Sequence, residues 1–225
     1  MDGRFMRVYE RLRREYGPRG WWPVTPPGGT APRYTGGPRS DRQRFEVAAG
    51  AILTQNTAWR NASRAIESLN RLGAMSPEAI GRMDVEEIAR AIRSAGYFNQ
   101  KAKRLKTIAA YFRANLEGTR DGLLALDGVG PETADSIMLY AFNAPFFVID
   151  AYTRRLFGRL ALVDPEAPYD EIRDRFESNL PRRVSLYQEY HAVIVEHGKT
   201  ICRKKPLCKK CLFKKWCLVY LGTTE

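Results

Sequence analysis

Residues Leu126 to Asp150 read LDGVGPETADSIMLYAFNAPFFVID, and the turn that opens this stretch decides the fold. Gly128-Val129-Gly130 runs straight into Pro131, after which Ile137, Leu139, Tyr140 and Phe142 keep a helical period. Proline at the first helical position, with glycines just before it, marks a tight entry into a helix. The first turn of that helix leaves backbone N–H groups unpaired at its positive end, which suits a phosphate. Residues 121–126 read as the end of a short preceding helix. The whole is helix, Gly-x-Gly turn, helix, a sequence-independent grip on a DNA backbone, although a lone G-V-G before a helix is also a common turn. Twenty residues beyond Gly130 stands Asp150, after the apolar run Phe146-Phe147-Val148-Ile149. Because Ala151-Tyr152-Thr153-Arg154 follows it, Asp150 is equally a natural helix N-cap.

Charge narrows the partners. The 225 residues carry 37 Lys and Arg against 25 Asp and Glu, a formal charge of +12, which calls for a polyanion. DNA, RNA and an acidic membrane surface all satisfy that requirement; only motifs separate them. No apolar run approaches the length that spans a bilayer, and the N-terminal MDGRFMRVYERLRREYG is charged throughout, with no signal-peptide core. It reads instead as an amphipathic helix with Phe5, Val8, Tyr9, Leu12 and Tyr16 on one face. A soluble, cytoplasmic, nucleoid-associated monomer with no membrane partner is expected. The hydrophobic fraction of 44% is enough for one sizeable core or two small ones.

All four cysteines, Cys202, Cys208, Cys211 and Cys217, lie near the C-terminus in a C-x5-C-x2-C-x5-C pattern. Disulfides that staple a secreted chain are more usually spread along it; four thiolates this close suit one metal centre. The two C-x2-C knuckles of a zinc ribbon are absent, while an iron–sulfur cubane takes one cysteine per iron and can be wrapped by a short loop. Spacing alone leaves zinc and cluster both open. Between Gly198 and Cys217 stand Lys199, Arg203, Lys204, Lys205, Lys209, Lys210, Lys214 and Lys215 and no acid. Fixed on a metal loop, they make a positive patch whose grip on phosphates is sequence-independent and salt-sensitive.

Helical periodicity runs through the rest of the chain. Phe45, Ala48, Ala49, Ile52 and Leu53 share a face, as do Ala62, Ala65, Ile66, Leu69 and Leu72. Ser76-Pro77 is an N-cap with a first-turn proline. Further helices are expected near 151–160, 169–178 and 183–197. No stretch alternates long enough for a sheet, so the class is all-α. Only residues 17–43, dense in Pro and Gly, cannot be helical.

Hairpin, downstream Asp150 and C-terminal cysteines together resemble the endonuclease III superfamily of helix-hairpin-helix DNA glycosylases, over nearly the whole chain beyond the loop at 24–43. The resemblance implies a six-helix domain at 40–144, a second helical domain made of 1–39 plus 145–225, and double-stranded DNA with a damaged base held in the cleft between them. It implies a C-terminal [4Fe–4S] cluster on Cys202, Cys208, Cys211 and Cys217; the loop departs from the family pattern in having five residues, not six, between its first two cysteines. Asp150 becomes the catalytic carboxylate. Gly128, Val129 and Gly130, with Lys209 and Lys210, become DNA contacts. Gln55, in Leu53-Thr54-Gln55-Asn56-Thr57, becomes the residue that fills the gap left by an extruded nucleotide, where its amide can hydrogen-bond the orphaned base.

Two features refine this. Glu132 stands after Gly-x-Gly where bifunctional members carry a lysine that attacks the sugar; a carboxylate cannot form that Schiff base, so Glu132 marks a hydrolase without lyase chemistry. Lys101 and Lys103 are candidates for a displaced amine. Trp21-Trp22-Pro23, the segment Gly96 to Leu105 and G-x-E-x-A-D at Gly130 to Asp135 are similar to the 3-methyladenine DNA glycosylases of the helix-hairpin-helix type. An N3-methylated adenine is cationic and is held by aromatic faces, and Trp21, Trp22, Phe45, Trp59 and Tyr97 are the expected pocket walls. Such a base is already an activated leaving group, so an ionised Asp150 would suffice to stabilise charge on the sugar. A mismatch thymine or uracil glycosylase, an endonuclease III-like glycosylase/lyase and a DNA-binding iron–sulfur protein without catalysis are the rival readings. His191 and His197 fall in no assignable motif.

Overall fold

The structure is a computed structural model that describes residues 2–115 and 117–222. Its helices in chain order are α1 (Arg4–Tyr16), α2 (Asp41–Leu53), α3 (Trp59–Arg71), α4 (Pro77–Arg82), α5 (Val85–Ala91), α6 (Phe98–Ala114), α7 (Arg120–Leu124), α8 (Pro131–Tyr140), α9 (Ala151–Arg159), α10 (Tyr169–Glu177), α11 (Val184–Thr200) and α12 (Leu218–Leu221). Among the described residues there is no strand, only an isolated antiparallel bridge between Val24 and Arg33. The all-α expectation holds. Caps set several helix starts: Ser76 accepts the Ala79 N–H ahead of Pro77, Asp84 and Glu87 form a capping box, and Asp150 accepts the Thr153 N–H.

The chain forms two compact units, one of residues 20–144 and one of the described parts of 1–19 and 145–225. In the first, α2 is the central helix. Phe45 through Leu53 are all buried, as expected of a helix enclosed by neighbours. Helix α6 packs against α2, α4 and α5, and α8 packs against α2. This unit holds seven α-helices among its described residues, where the resemblance implied six.

Residues 20–39 correct a second expectation. They group with this unit and not with the C-terminal one. Thr25 explains why: it is fully buried, and its N–H and hydroxyl both donate to Glu46 Oε1, at 2.7 and 2.8 Å. Gln43 Nε2 donates to the Thr25 carbonyl, and Asn70 Nδ2 to Thr25 Oγ1 and the Thr30 carbonyl. A Pro/Gly-rich segment cannot pair its backbone in a helix, so side chains from α2 and α3 satisfy it instead. Burial pushes the Glu46 carboxyl up, against the pull of its Thr25 bonds.

The second unit is built on an aromatic core. Phe5 stacks at 5.5 Å on Phe157 and edge-on at 5.0 Å against Phe176, which stacks at 4.3 Å on Phe147. Tyr190 caps the cluster and donates to the Phe5 carbonyl at 2.6 Å. Each such ring contributes enough that truncation to Ala costs about 3–5 kcal/mol. This packing fastens α1 to α11 and sets the register of α9 against α11.

Candidate active site

The hairpin is built by a turn that needs one of its two glycines for conformation. Gly128 has φ +75°, and a Cβ there would come within 2.0 Å of Arg104 Nε. Gly130 has φ −88°, caps α8, and a Cβ on it would meet nothing within 4 Å. Arg120 Nε reaches Asp135 Oδ1 at 2.6 Å, a pair with side chains only 15% and 0% exposed, and so ties α7 to α8. Breaking a buried pair of that kind leaves a stranded charge and costs about 3–5 kcal/mol. Val129 is buried, Gly130 is exposed, and Glu132 sits exposed on the first turn of α8.

Gln55 is drawn onto this hairpin. Its Nε2 donates to the Gly128 carbonyl at 2.9 Å and to Thr133 Oγ1 at 3.0 Å, and its Oε1 accepts from Arg104 Nη1 at 2.7 Å. Arg104 is a residue that sequence reasoning missed, since a basic residue on a helix carries no positional signal. The turn after Gln55 contains Asn56 in a left-handed conformation, φ 51°.

Lys101 closes that turn from below. It is 1% exposed, and its Nζ donates to the Leu53 carbonyl at 2.8 Å, the Ala95 carbonyl at 2.9 Å and Thr57 Oγ1 at 3.2 Å. Burial pulls its ammonium down to about 8. With all three hydrogens engaged, Lys101 is a clasp on the end of α2, which corrects its candidacy as a displaced nucleophile. Lys103 is exposed.

Three of the five expected aromatic walls meet. Trp22 lies 5.9 Å from Trp21 and 5.8 Å, edge-on, from Trp59, and Tyr140 joins at 5.3 Å from Trp22. Trp21 and Trp59 are half-buried. Trp22 is 7% exposed, lies against Gly50, and its Nε1 has no hydrogen-bond partner among the described residues. The other two walls are corrected. Phe45 is fully buried and packs edge-on against Phe112 at 5.7 Å, in a separate core cluster. Tyr97 is 68% exposed, at the left-handed residue before α6.

In the other unit, Asp150 is the N-cap of α9 and is 8% exposed. Its Oδ1 accepts the Thr153 N–H at 2.7 Å, and its Oδ2 stands 3.6 Å from His191 Nε2. Burial pushes the carboxyl up, but His191 and the Thr153 bonds outweigh it, and the group rests below its ordinary range. His191 went unassigned in the sequence because it comes from α11, 41 residues away. Helix α9 is nailed to the cysteine loop: Arg155 donates to the Cys202 carbonyl at 2.7 Å and the Gly198 carbonyl at 3.1 Å, and Gly198 gives way to the Tyr152 ring, where a Cβ would clash at 2.5 Å. A cavity of about 760 Å³ in this unit has Asp164, Glu171, Asp174 and Arg175 in its lining and no expected site residue.

The cysteines gather at the end of α11. Burial raises the Cys211 thiol, and the nearness of Cys202, Cys217 and Cys208 raises it further. Donors point at the sulfurs: the Phe213 N–H reaches Cys211 Sγ at 3.4 Å and Arg159 reaches Cys202 Sγ at 3.3 Å. His197, pushed down by burial to about 4, lies between Tyr16, whose hydroxyl is 2.8 Å from Nδ1, and Cys211 Sγ, 3.6 Å from Nε2. Among the described residues no three His, Cys, Asp or Glu side chains are placed to hold one ion. Lys209 and Lys210 are exposed on the turn between Cys208 and Cys211. No helix of the described residues is long and apolar enough to cross a membrane.

Comparison with known proteins agrees with this architecture. Residues 49–182 match the family described as HhH-GPD superfamily base excision DNA repair protein. A Methanocaldococcus jannaschii protein, provisionally named a DNA repair glycosylase, is 42% identical over 94% of each chain. Endonuclease III of Sulfolobus acidocaldarius is 32% identical over 82% of this chain and 86% of its own. Among solved structures, a trapped endonuclease III–DNA covalent intermediate superposes over the whole of both chains with a TM-score of 0.79 at 17% identity, a likeness of fold alone. A 3-methyladenine DNA glycosylase of H. pylori bound to 1,N6-ethenoadenine gives a TM-score of 0.69 at 26% identity, covering 87% of this chain and 97% of its own.

Proposed function

The chain belongs to the HhH-GPD superfamily of base excision DNA repair proteins, and from that membership we propose that it is a monofunctional DNA N-glycosylase releasing cationic, 3-methyladenine-type purines from duplex DNA. The observation that carries the substrate class is the cluster of Trp21, Trp22, Trp59 and Tyr140, in which two tryptophans keep part of their surface open. Aromatic faces attract a cation, whereas a neutral pyrimidine would need hydrogen bonds to its carbonyls. The similarity to a solved 3-methyladenine DNA glycosylase supports the same class.

In the proposed reaction the N3-alkylated base, already positive, leaves as a neutral purine with the electron pair of the C1′–N bond. The sugar carbon takes on positive charge, and the Asp150 carboxylate, held ionised, offsets it. Water adds its oxygen to C1′ and gives its proton to Asp150 or to solvent, leaving an intact abasic strand. Glu132 offers no amine on α8, and Lys101 is fully engaged, which supports hydrolysis without strand cleavage. Hairpin residues Gly128, Val129 and Gly130, with Lys209 and Lys210, would bind the phosphate backbone, and Gln55 would fill the vacated place in the duplex.

Cys202, Cys208, Cys211 and Cys217 fit a [4Fe–4S] cluster by donor chemistry: four thiols near one another, with N–H groups aimed at two sulfurs. A cubane takes one thiolate per iron, so its ligands stand farther apart than those of a single ion. When bound, the cluster would supply a cross-link that holds the basic loop and the end of α11.

Base release from duplexes carrying alkylated, deaminated and mismatched bases tests this reading. Release of N3-methyladenine, without borohydride-trappable adduct, is expected. Preferential release of uracil or thymine, or efficient trapping, would replace it with a pyrimidine glycosylase or an endonuclease III-like lyase.

A further inference from the structure

The two oxygens of Asp150 have different partners, and only one of them is explained by the fold. Oδ1 caps α9 through Thr153, and capping asks for a single acceptor. Oδ2 faces Nε2 of His191, 3.6 Å away, on the helix packed against α9. His191 is 4% exposed. A core position of that kind is ordinarily filled by an apolar ring, and a buried imidazole is retained at a desolvation cost.

We propose that His191 is a positioning residue for Asp150: from 3.6 Å its Nε2 faces Oδ2 and holds the plane of the carboxylate toward the sugar. This rests on the glycosylase reading above. Neutral imidazole carries one donor, which a carboxylate acceptor will orient.

Other groups act on the same carboxylate. Lys199 on α11 and Tyr152 on α9 both sense Asp150, and Arg155 lies over the Tyr152 ring at 5.0 Å. The Asp150 carboxyl itself is held below its usual range.

The test uses the protein in wild-type, His191→Gln and His191→Leu forms, with single-turnover release of methylpurine from dimethyl sulfate-treated duplex followed at neutral pH. Glutamine keeps an N–H donor. It should hold the rate within about threefold, while leucine should lose about tenfold. A tenfold loss in His191→Gln, or a wild-type rate in His191→Leu, would overturn the proposal. A second measurement is independent of activity. The Asp150 carboxyl, followed by carbon-13 NMR, should titrate at higher pH in His191→Gln than in wild type, because a cationic neighbour is lost; equal titration would also overturn it. Wild type inert on every modified duplex would remove the glycosylase reading, and the carboxyl titration would still decide the pairing.

Discussion

The side-chain amide of Gln55 and the backbone carbonyl of Gly128, 73 residues apart in sequence, are joined by a 2.9 Å hydrogen bond. Thr133 and Arg104 take up the rest of the amide. If Gln55 faces an orphaned base as proposed, it would exchange partners of which Gly128 and Thr133 lie on the hairpin and Arg104 on α6.

The two hairpin glycines should separate on substitution. Gly128→Ala places a Cβ at positive φ and against Arg104, so thermal unfolding should report a loss of about 1–3 kcal/mol. Gly130→Ala meets no protein atom and should leave stability within about 0.5 kcal/mol. If a phosphate approaches this turn, Gly130→Ala should nevertheless weaken binding to undamaged duplex. Equal affinity for wild type and Gly130→Ala would remove the hairpin from the interface.

Aromatic substitutions should divide in the same manner. Trp21→Ala should slow release of cationic alkylpurines relative to neutral bases by about 1–2 kcal/mol. Phe45→Ala should cost about 3–5 kcal/mol of folding stability, with no selectivity among bases in the protein that remains folded. Uniform loss across substrates in Trp21→Ala would show the tryptophans to be core.

Asp150→Asn should reduce excision by about a hundredfold or more while duplex affinity stays near wild type, because an amide still caps α9 but carries no charge. The folded carboxyl lies below its ordinary 3.8. Its contribution to stability is thus complete above that pH and is lost as pH falls through the folded value. The stability gap between wild type and Asp150→Asn, read from denaturant midpoints, should shrink on acidification.

Lys101 gives the same sign of pH dependence, in an alkaline window. Its folded value of about 8 lies beneath the ordinary 10.5. Between those two pH values the unfolded chain holds a proton that the folded chain has released, so wild-type stability should rise with pH across the window relative to Lys101→Met. Parallel curves for the two proteins would show that the ammonium is not desolvated.

Protein purified in air should be yellow-brown with broad absorbance near about 400 nm, as thiolate-bound clusters are. Cys208→Ser should bleach it and lower stability and DNA affinity together, since Arg155 and the basic loop share the same anchor. Stoichiometric zinc without iron would refute the cluster.

Residue order alone makes the helices, the hairpin and the cysteine loop legible. Their signals are local: a proline at N1, a capping serine or aspartate, a 3.6-residue period, four thiols within one short segment. Each acts over a few residues of backbone, so Ser76-Pro77, Gly130-Pro131 and Asp150 mark helix starts where the structure has them. The meeting of distant side chains belongs to packing. Trp22 reaches Tyr140 while Phe45, on the same helix as Gly50, turns to Phe112; Lys101 disappears beneath the end of α2; His191 arrives at Asp150 from another helix. Residues 20–39 join the first unit because buried Thr25 finds Glu46, Gln43 and Asn70 there. Such pairings depend on how helices cross in three dimensions, which the period of any single helix does not encode.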